Sequence, residues 1–202
     1  MSNPFNNEIR PAIQELAEDL LTSEQVNGAV ALAKLLCRDE NDRQNAILRL
    51  QQMMGRSPKR PLFYLEHEIK DLPDHTRHVV RYAGDYIDQM VKYCAYDKGT
   101  FFLKVRGLRS SLGSNLRKLT RVFSRRLLDL LTRFNETIYV PSKHEWDVED
   151  RPHLFSAREA VLCLFIVKQL SLEVAQYSQL AQSYDNNEML DYHYDKTQEQ
   201  RL

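Results

Sequence analysis

Apolar side chains recur along this chain at spacings of three and four residues, which is the repeat of one face of an α-helix. The clearest stripe runs from Leu112 to Phe134, where the apolar residues follow one another at intervals of 4, 3, 4, 4, 3 and 4. A strongly apolar segment from Ala157 to about Ala181 follows Ser156 and Glu159, which have the spacing of a helix-capping box. No block of residues alternates with the period of two that indicates strands. The pattern therefore predicts an all-α fold, a bundle of about five to seven helices.

The connection between these two helices has a different composition. It contains Trp146, the only tryptophan of the chain, together with Pro141 and a β-branched run that begins at Thr137. Proline interrupts a helix, and β-branched residues favour extended backbone, so we expect a long extended crossover at 135–155. Ordered connections of this length are uncommon unless they bind or catalyse. The alternative is a structural crossover in which Tyr139 and Trp146 plug the end of the bundle.

Length and composition predict a single domain. A chain of 202 residues has the size of one domain, and its polar, acidic end predicts a tail at 183–202 after a bundle over 1–182. The three cysteines lie far apart without a CxxC motif, which argues against a disulfide framework and a zinc ribbon and favours a cytoplasmic setting. No segment approaches the roughly 18 consecutive apolar residues of a transmembrane helix, so we expect no membrane partner.

Positive charge is concentrated in one part of the chain. The net charge is zero, yet residues 104–133 contain nine Lys or Arg and a single acid, Asp129. Four of these cations lie opposite the leucine stripe on a helical wheel, where they could follow a phosphate backbone: Arg117, Lys118, Arg121 and Arg125. The alternative is a solvated face whose charge is balanced by the acidic tail or by the acids of the first helix, Glu8, Glu15, Glu18 and Asp19.

A polar segment follows this basic region, with the tripeptide RFN at 133–135 and the dipeptide KH at 143–144. A helical bundle with such an Arg/Asn/Lys/His segment after a long helix resembles the HEPN superfamily. Members of that superfamily are often RNA-cutting toxins, defence effectors or nucleotide-binding accessory proteins. Their catalytic signature is an Arg, a spacer of about four to six residues and a His. Ten residues separate Arg133 from His144 here, and a literal match to the signature occurs at 60–67.

The resemblance implies a protein that binds or cleaves RNA in a toxin or defence system, and it implies a metal-independent mechanism. His144 would act as general acid or base near neutral pH. Arg133 or Lys143 would stabilise the charge that develops on the phosphorane. Asn135 and the basic face would bind the RNA, and two subunits of a homodimer would share one cleft.

Two further hypotheses come from other residues. His75 and His78 form an i, i+3 pair near Asp71 and Asp74, and the pair could supply two ligands of a metal-binding bundle. A complete metal site is not predicted, because the Glu and the distal third ligand of an HExxH motif are missing. The segment Asp191–Asp195 in the tail is likewise not predicted to form a metal site. The principal alternative to an RNA-binding protein is a noncatalytic helical module that binds a protein partner.

Several common enzyme classes are disfavoured by motifs that the chain lacks. It contains no GxSxG, no P-loop and no GxGxxG after a predicted strand. We therefore expect no cofactor of the kinds that those motifs bind.

Overall fold

A computed structural model describes residues 4–55, 60–96, 111–120, 123–143 and 155–176. Within these ranges the chain is helical and contains no strand, which confirms the predicted all-α bundle. The elements are α1 (Pro4–Leu20), α2 (Ser23–Leu36), α3 (Glu40–Met54), α4 (Arg60–Lys70), α5 (Thr76–Tyr96), α6 (Leu112–Leu116), α7 (Arg125–Phe134), a π-helical turn (Asn135–Tyr139), α8 (Val140–Lys143) and α9 (Ala157–Gln176). The predicted acidic tail at 183–202 lies outside the described residues.

The last helix, α9, forms the centre of the bundle. Its apolar run at 160–167 is buried except for the partly exposed Phe165, and α9 packs against α1, α2, α3, α5 and α7. A helix that is apolar around most of its circumference is stable only where other helices surround it. None of the described helices combines the length and the apolar composition that a membrane span requires.

Helices α2 and α9 each begin with a capping box, and the one of α9 was predicted from Ser156 and Glu159. The Thr22 hydroxyl accepts a hydrogen bond from the Gln25 backbone N–H, and the Gln25 side chain accepts one from the Thr22 N–H. Ser156 and Glu159 make the same reciprocal pair at the start of α9. These two signals therefore place the beginnings of α2 and α9 correctly.

The predicted helix from Leu112 to Phe134 is interrupted. Helix α6 ends at Leu116, and α7 begins at Arg125, after Ser124 accepts a hydrogen bond at 3.2 Å from the Leu127 N–H. The stripe residues between the two helices, Leu119 and Phe123, are nevertheless buried. The spacing therefore identified the buried face correctly, although the helix itself is broken.

The predicted extended crossover requires a correction over residues 135–143, which are helical. Pro141 is the second residue of α8, which follows the π-helical turn without a break, and because it has no N–H it donates no hydrogen bond to the preceding helical turn. The Thr137 hydroxyl donates a hydrogen bond at 2.6 Å to the Arg133 carbonyl, so this β-branched residue is compatible with the π-helical turn. Residues 144–154, including Trp146, lie outside the described residues.

Candidate functional site

A groove of about 730 Å³ lies between α6 and the face formed by α7 and the π-helical turn. Arg117 and Thr120 line it beside α6, and Arg125, Asp129 and Asn135 line it on the opposite side. The volume lies within the range of about 300–1,000 Å³ that is typical of small-molecule pockets. The groove can therefore accommodate a ligand of nucleotide size.

Three of the predicted nucleic-acid-binding residues meet in this groove. Arg117 and Arg125 are exposed, and neither forms an ion pair with another described residue. Asn135 also lines the groove, and most of its side chain is buried. Lys118 is exposed but is not among the lining residues, and Arg121 lies outside the described residues.

A close approach between Gly113 and Asn135 shapes the inner part of the groove. A Cβ atom at Gly113 would lie 2.9 Å from the Asn135 amide nitrogen, which is closer than ordinary van der Waals contact. A side chain larger than that of glycine at this position would therefore require the Asn135 amide to shift. The sequence alone does not indicate that Gly113 contacts Asn135.

Arg133, one of the predicted catalytic residues, is paired with the first helix. Its guanidinium group forms ion pairs with Glu15 and Asp19 of α1. The neighbouring cation Arg126 donates a hydrogen bond to the Asp19 carbonyl at 3.3 Å and lies 3.8 Å from a carboxylate oxygen of Glu173. Acids of α1 and α9 therefore pair with these two arginines, neither of which belongs to the predicted basic face.

Lys143, a second predicted catalytic residue, belongs to a different cluster. Its ammonium nitrogen lies 3.3 Å from Asp85 of α5 and 3.8 Å from the centre of the Tyr139 ring. Tyr139 donates a hydrogen bond from its hydroxyl to the same carboxylate oxygen of Asp85. Burial, and after it the charge of Asp85, raises the pKa of Tyr139 above its usual range. The phenol therefore remains protonated and acts as a structural donor.

The sequence predicted that Tyr139 would plug the bundle, but it did not identify Asp85 or Gly84. The Tyr139 side chain is 1% exposed and lies against the Gly84 backbone. A glycine inside a helical pattern is the only signal that could have pointed to this contact, since glycine weakens a helix unless a close approach requires it.

The third predicted catalytic residue, His144, lies outside the described residues. Arg133 pairs with carboxylates of α1, whereas Lys143 pairs with a carboxylate of α5. The described contacts therefore do not bring these two cations together in one site. No histidine or cysteine lines the part of the groove that the structure describes. The groove offers guanidinium groups that bind anions, together with carboxylates, hydroxyls and an amide that can form hydrogen bonds with a ligand.

The His75 and His78 pair has a neighbour that the sequence analysis did not identify. Glu68 of α4 lies beside both imidazoles, and the ligand atoms of the three side chains all lie within 4.8 Å of one another. The structure therefore supplies a third potential metal ligand where the sequence indicated two.

No protein-family model, no curated protein and no solved structure matches this chain.

Proposed function

We propose that this protein binds single-stranded RNA in the groove between α6 and α7. Arg117 and Arg125 would contact successive phosphates, and Asn135 would contact a base. The observation that carries the proposal is the presence of two exposed guanidinium groups, without ion-pair partners among the described residues, in a groove of nucleotide size.

The chemistry of the groove favours a nucleic acid over a simple anion. Each arginine can neutralise one phosphate and release a counterion, which is the principal source of affinity for nucleic acids. The groove also contains the carboxylates of Asp129 and Glu136 and the amide of Asn135. Carboxylates repel phosphate, but they can accept hydrogen bonds from the amino groups of bases, and the amide of Asn135 can both donate to and accept from a base edge. A ligand that carries both phosphates and bases satisfies both sets of groups.

Single-stranded RNA is favoured over duplex because its unstacked bases expose their hydrogen-bonding edges. The resemblance to the HEPN superfamily points to the same class of ligand, and it also implies a homodimer. Binding is better supported than cleavage, because Arg133 and Lys143 are each engaged by carboxylates on different helices. Cleavage that depends on His144 remains a separate hypothesis.

Fluorescence anisotropy with a labelled single-stranded RNA, measured in EDTA at several salt concentrations, tests the proposal. We expect Arg117→Ala and Arg125→Ala each to weaken binding and to reduce the slope of log K against log salt concentration by about 0.7, the value for one phosphate contact on a single strand. Arg126→Ala is the matched control, because this arginine lies on the same helix but is paired with Asp19 and Glu173. Its salt slope should equal that of the wild type.

Binding that is unchanged in the Arg117→Ala/Arg125→Ala double variant would overturn this site. Absence of salt-sensitive RNA binding in the wild type would favour the alternative, a noncatalytic module that binds a protein partner. Electrophoresis of the same samples separates binding from cleavage, and loss of cleavage in His144→Ala alone would identify a nuclease. Light scattering at the same protein concentrations measures whether the chain forms a homodimer.

A further inference from the structure

We propose that Glu68, His75 and His78 form a binding site for a divalent transition-metal ion of the Zn²⁺ class. Glu68 lies near the end of α4, His75 immediately precedes α5, and His78 lies in the first turn of α5. A metal ion bound by all three side chains would link the two helices across the turn that joins them. The site lies outside the groove described above and does not depend on RNA binding.

The distances between the potential ligand atoms fit a tetrahedral ion. The Glu68 Oε2 atom lies 3.4 Å from the Nδ1 atom of His75 and 3.3 Å from the Nδ1 atom of His78. Zinc binds imidazole nitrogen and carboxylate oxygen at about 2.0–2.2 Å, and tetrahedral geometry then places neighbouring ligand atoms about 3.4 Å apart. The two distances from Glu68 therefore match those around a tetrahedral ion, and the ligand atoms of all three side chains lie within 4.8 Å of one another.

The Glu68 carboxylate provides a second, independent observation. Its Oε2 atom is buried and accepts no hydrogen bond within the described part of the chain. Buried polar atoms in proteins normally have a partner, and an unsatisfied carboxylate oxygen is particularly costly. This same atom points between the two imidazoles, where a bound cation would satisfy it.

The backbone that carries the ligands is held by the core. The turn before α5 is closed by hydrogen bonds at 2.9 and 3.1 Å from the Asp74 and His75 N–H groups to the Asp71 carbonyl. Leu72 is fully buried, and its carbonyl accepts a hydrogen bond at 2.8 Å from Arg43 of α3. Ligands on such an anchored turn are positioned before the ion binds, which reduces the entropic cost of binding.

The set of donors selects among metals. Two imidazole nitrogens and one carboxylate suit zinc and its first-row neighbours, whereas Mg²⁺ and Ca²⁺ prefer sites made only of oxygen. The imidazoles are about half exposed, with 49% and 53% of the His75 and His78 side chains accessible, so an ion can enter from solvent. Three protein ligands leave a fourth position for water, and Asp71 Oδ2 lies 3.5 Å from His75 Nδ1 at the edge of the site.

Titration of the full chain with Zn²⁺ by calorimetry, and with Co²⁺ by visible absorption, tests the site. We expect one equivalent of Zn²⁺ to bind and four-coordinate Co²⁺ to produce ligand-field bands that Zn²⁺ abolishes. His75→Ala, His78→Ala and Glu68→Gln should each weaken binding by at least about 10-fold. Zinc should also raise the thermal unfolding midpoint of the wild type, but not that of the variants.

Two other histidines serve as controls. His67→Ala removes an exposed imidazole beside Glu68 that does not belong to the cluster, and His193→Ala removes the histidine of the tail motif. Both variants should bind Zn²⁺ as the wild type does. Circular dichroism establishes that each variant is folded. The proposal is overturned if the wild type binds no stoichiometric metal, if the cluster variants retain full affinity, or if His193→Ala alone abolishes binding.

Discussion

Replacement of Gly84 by alanine tests the contact that fixes the π-helical turn against α5. A Cβ atom at this position would lie 2.0, 2.5 and 2.6 Å from three carbon atoms of the Tyr139 ring. Carbon atoms in favourable contact are about 3.5–4.0 Å apart, so either the ring or the backbone must move. The ring is restrained, because it is 1% exposed, its hydroxyl donates a hydrogen bond to Asp85, and its face packs against Phe134 with the ring centres 6.4 Å apart.

The expected change in the free energy of unfolding is the sum of two opposing effects. Overpacking of a filled site costs typically about 1–3 kcal/mol, and a clash this close to a restrained ring lies at the upper end of that range. Alanine is favoured over glycine in a helix by about 1 kcal/mol. Gly84→Ala should therefore destabilise the protein by about 2 kcal/mol.

Gly28 in α2 offers the matched control, because a Cβ atom there meets no other atom within 4 Å. Gly28→Ala should stabilise the protein by up to about 1 kcal/mol through helix propensity alone. Urea denaturation followed by circular dichroism measures both variants, and the two substitutions should differ by about 3 kcal/mol. If Tyr139→Leu is added to Gly84→Ala, most of the overpacking cost should disappear, since the two residues are in contact. A Gly84→Ala variant as stable as Gly28→Ala would refute the packing of the Tyr139 ring on α5.

Two further substitutions test polar contacts that hold the bundle together. Glu159→Gln keeps the capping box with Ser156 but removes the 2.8 Å ion pair with Arg10. Burial alone would raise the pKa of Glu159, but hydrogen bonds from Ser156 and Arg10 outweigh it, so the pKa in the folded protein is lowered. The charge of Glu159 therefore stabilises the fold above its unfolded pKa, and this contribution is lost as the pH falls through the folded pKa. Urea denaturation at pH 7 should give the wild type a larger free energy of unfolding than Glu159→Gln. The difference between the two free energies should disappear as the pH falls below the ordinary pKa of 4.5. A gap of the same size on both sides of that value would contradict this account. Tyr139→Phe keeps the ring but removes its hydrogen bond to Asp85, and unfolding free energies should show a loss of about 1.5 kcal/mol; an unchanged value would mean that the hydroxyl contributes nothing to stability.

The apolar pattern predicted which residues are buried better than it predicted where the helices end. Leu119 and Phe123 have helical spacing and are buried, yet both lie in the interruption between α6 and α7. The chain turns back between the two helices, since Gly113 of α6 contacts Asn135 after α7, but the apolar residues of the connection still face the core, so periodicity cannot detect the break. Ser124 was the available signal, since serine is a preferred N-cap residue, but without Glu or Gln three residues later it does not form a capping box.

Pro141 and the β-branched residues near it led to an incorrect prediction of extended backbone. Their local preferences favour extended backbone, but the structure places residues 135–143 in helical turns. Burial of Ile138 and Tyr139 in the core outweighs a preference worth a fraction of a kilocalorie per residue. Pro141 lies inside this continuous helical segment, directly after the π-helical turn, where the regular hydrogen-bond pattern of the α-helix is already interrupted.

The basic face shows why the charge pattern alone could not separate binding residues from structural ones. The sequence offered two interpretations of the face that contains Arg117, Lys118, Arg121 and Arg125: either it binds phosphates, or acids balance its charge. The structure divides the cations: Arg126 and Arg133 contact α1, whereas Arg117 and Arg125 face the groove. Which arginine meets a carboxylate depends on how α1 packs across α7, and that contact joins residues more than a hundred positions apart.

The same limitation explains why the sequence indicated only part of the metal cluster. A motif such as HExxH is recognisable because its ligands share one helix face, and His75 and His78 meet that condition. Glu68 belongs to the preceding helix and reaches the two histidines only because the turn at 71–75 changes the direction of the chain. The geometry of that turn depends on contacts from elsewhere, including the hydrogen bond from Arg43 to the Leu72 carbonyl. Ligands on two sides of a turn therefore become visible only when the packing of the turn is known, and a glutamate just before a turn that leads into a histidine pair is a pattern worth testing for metal binding.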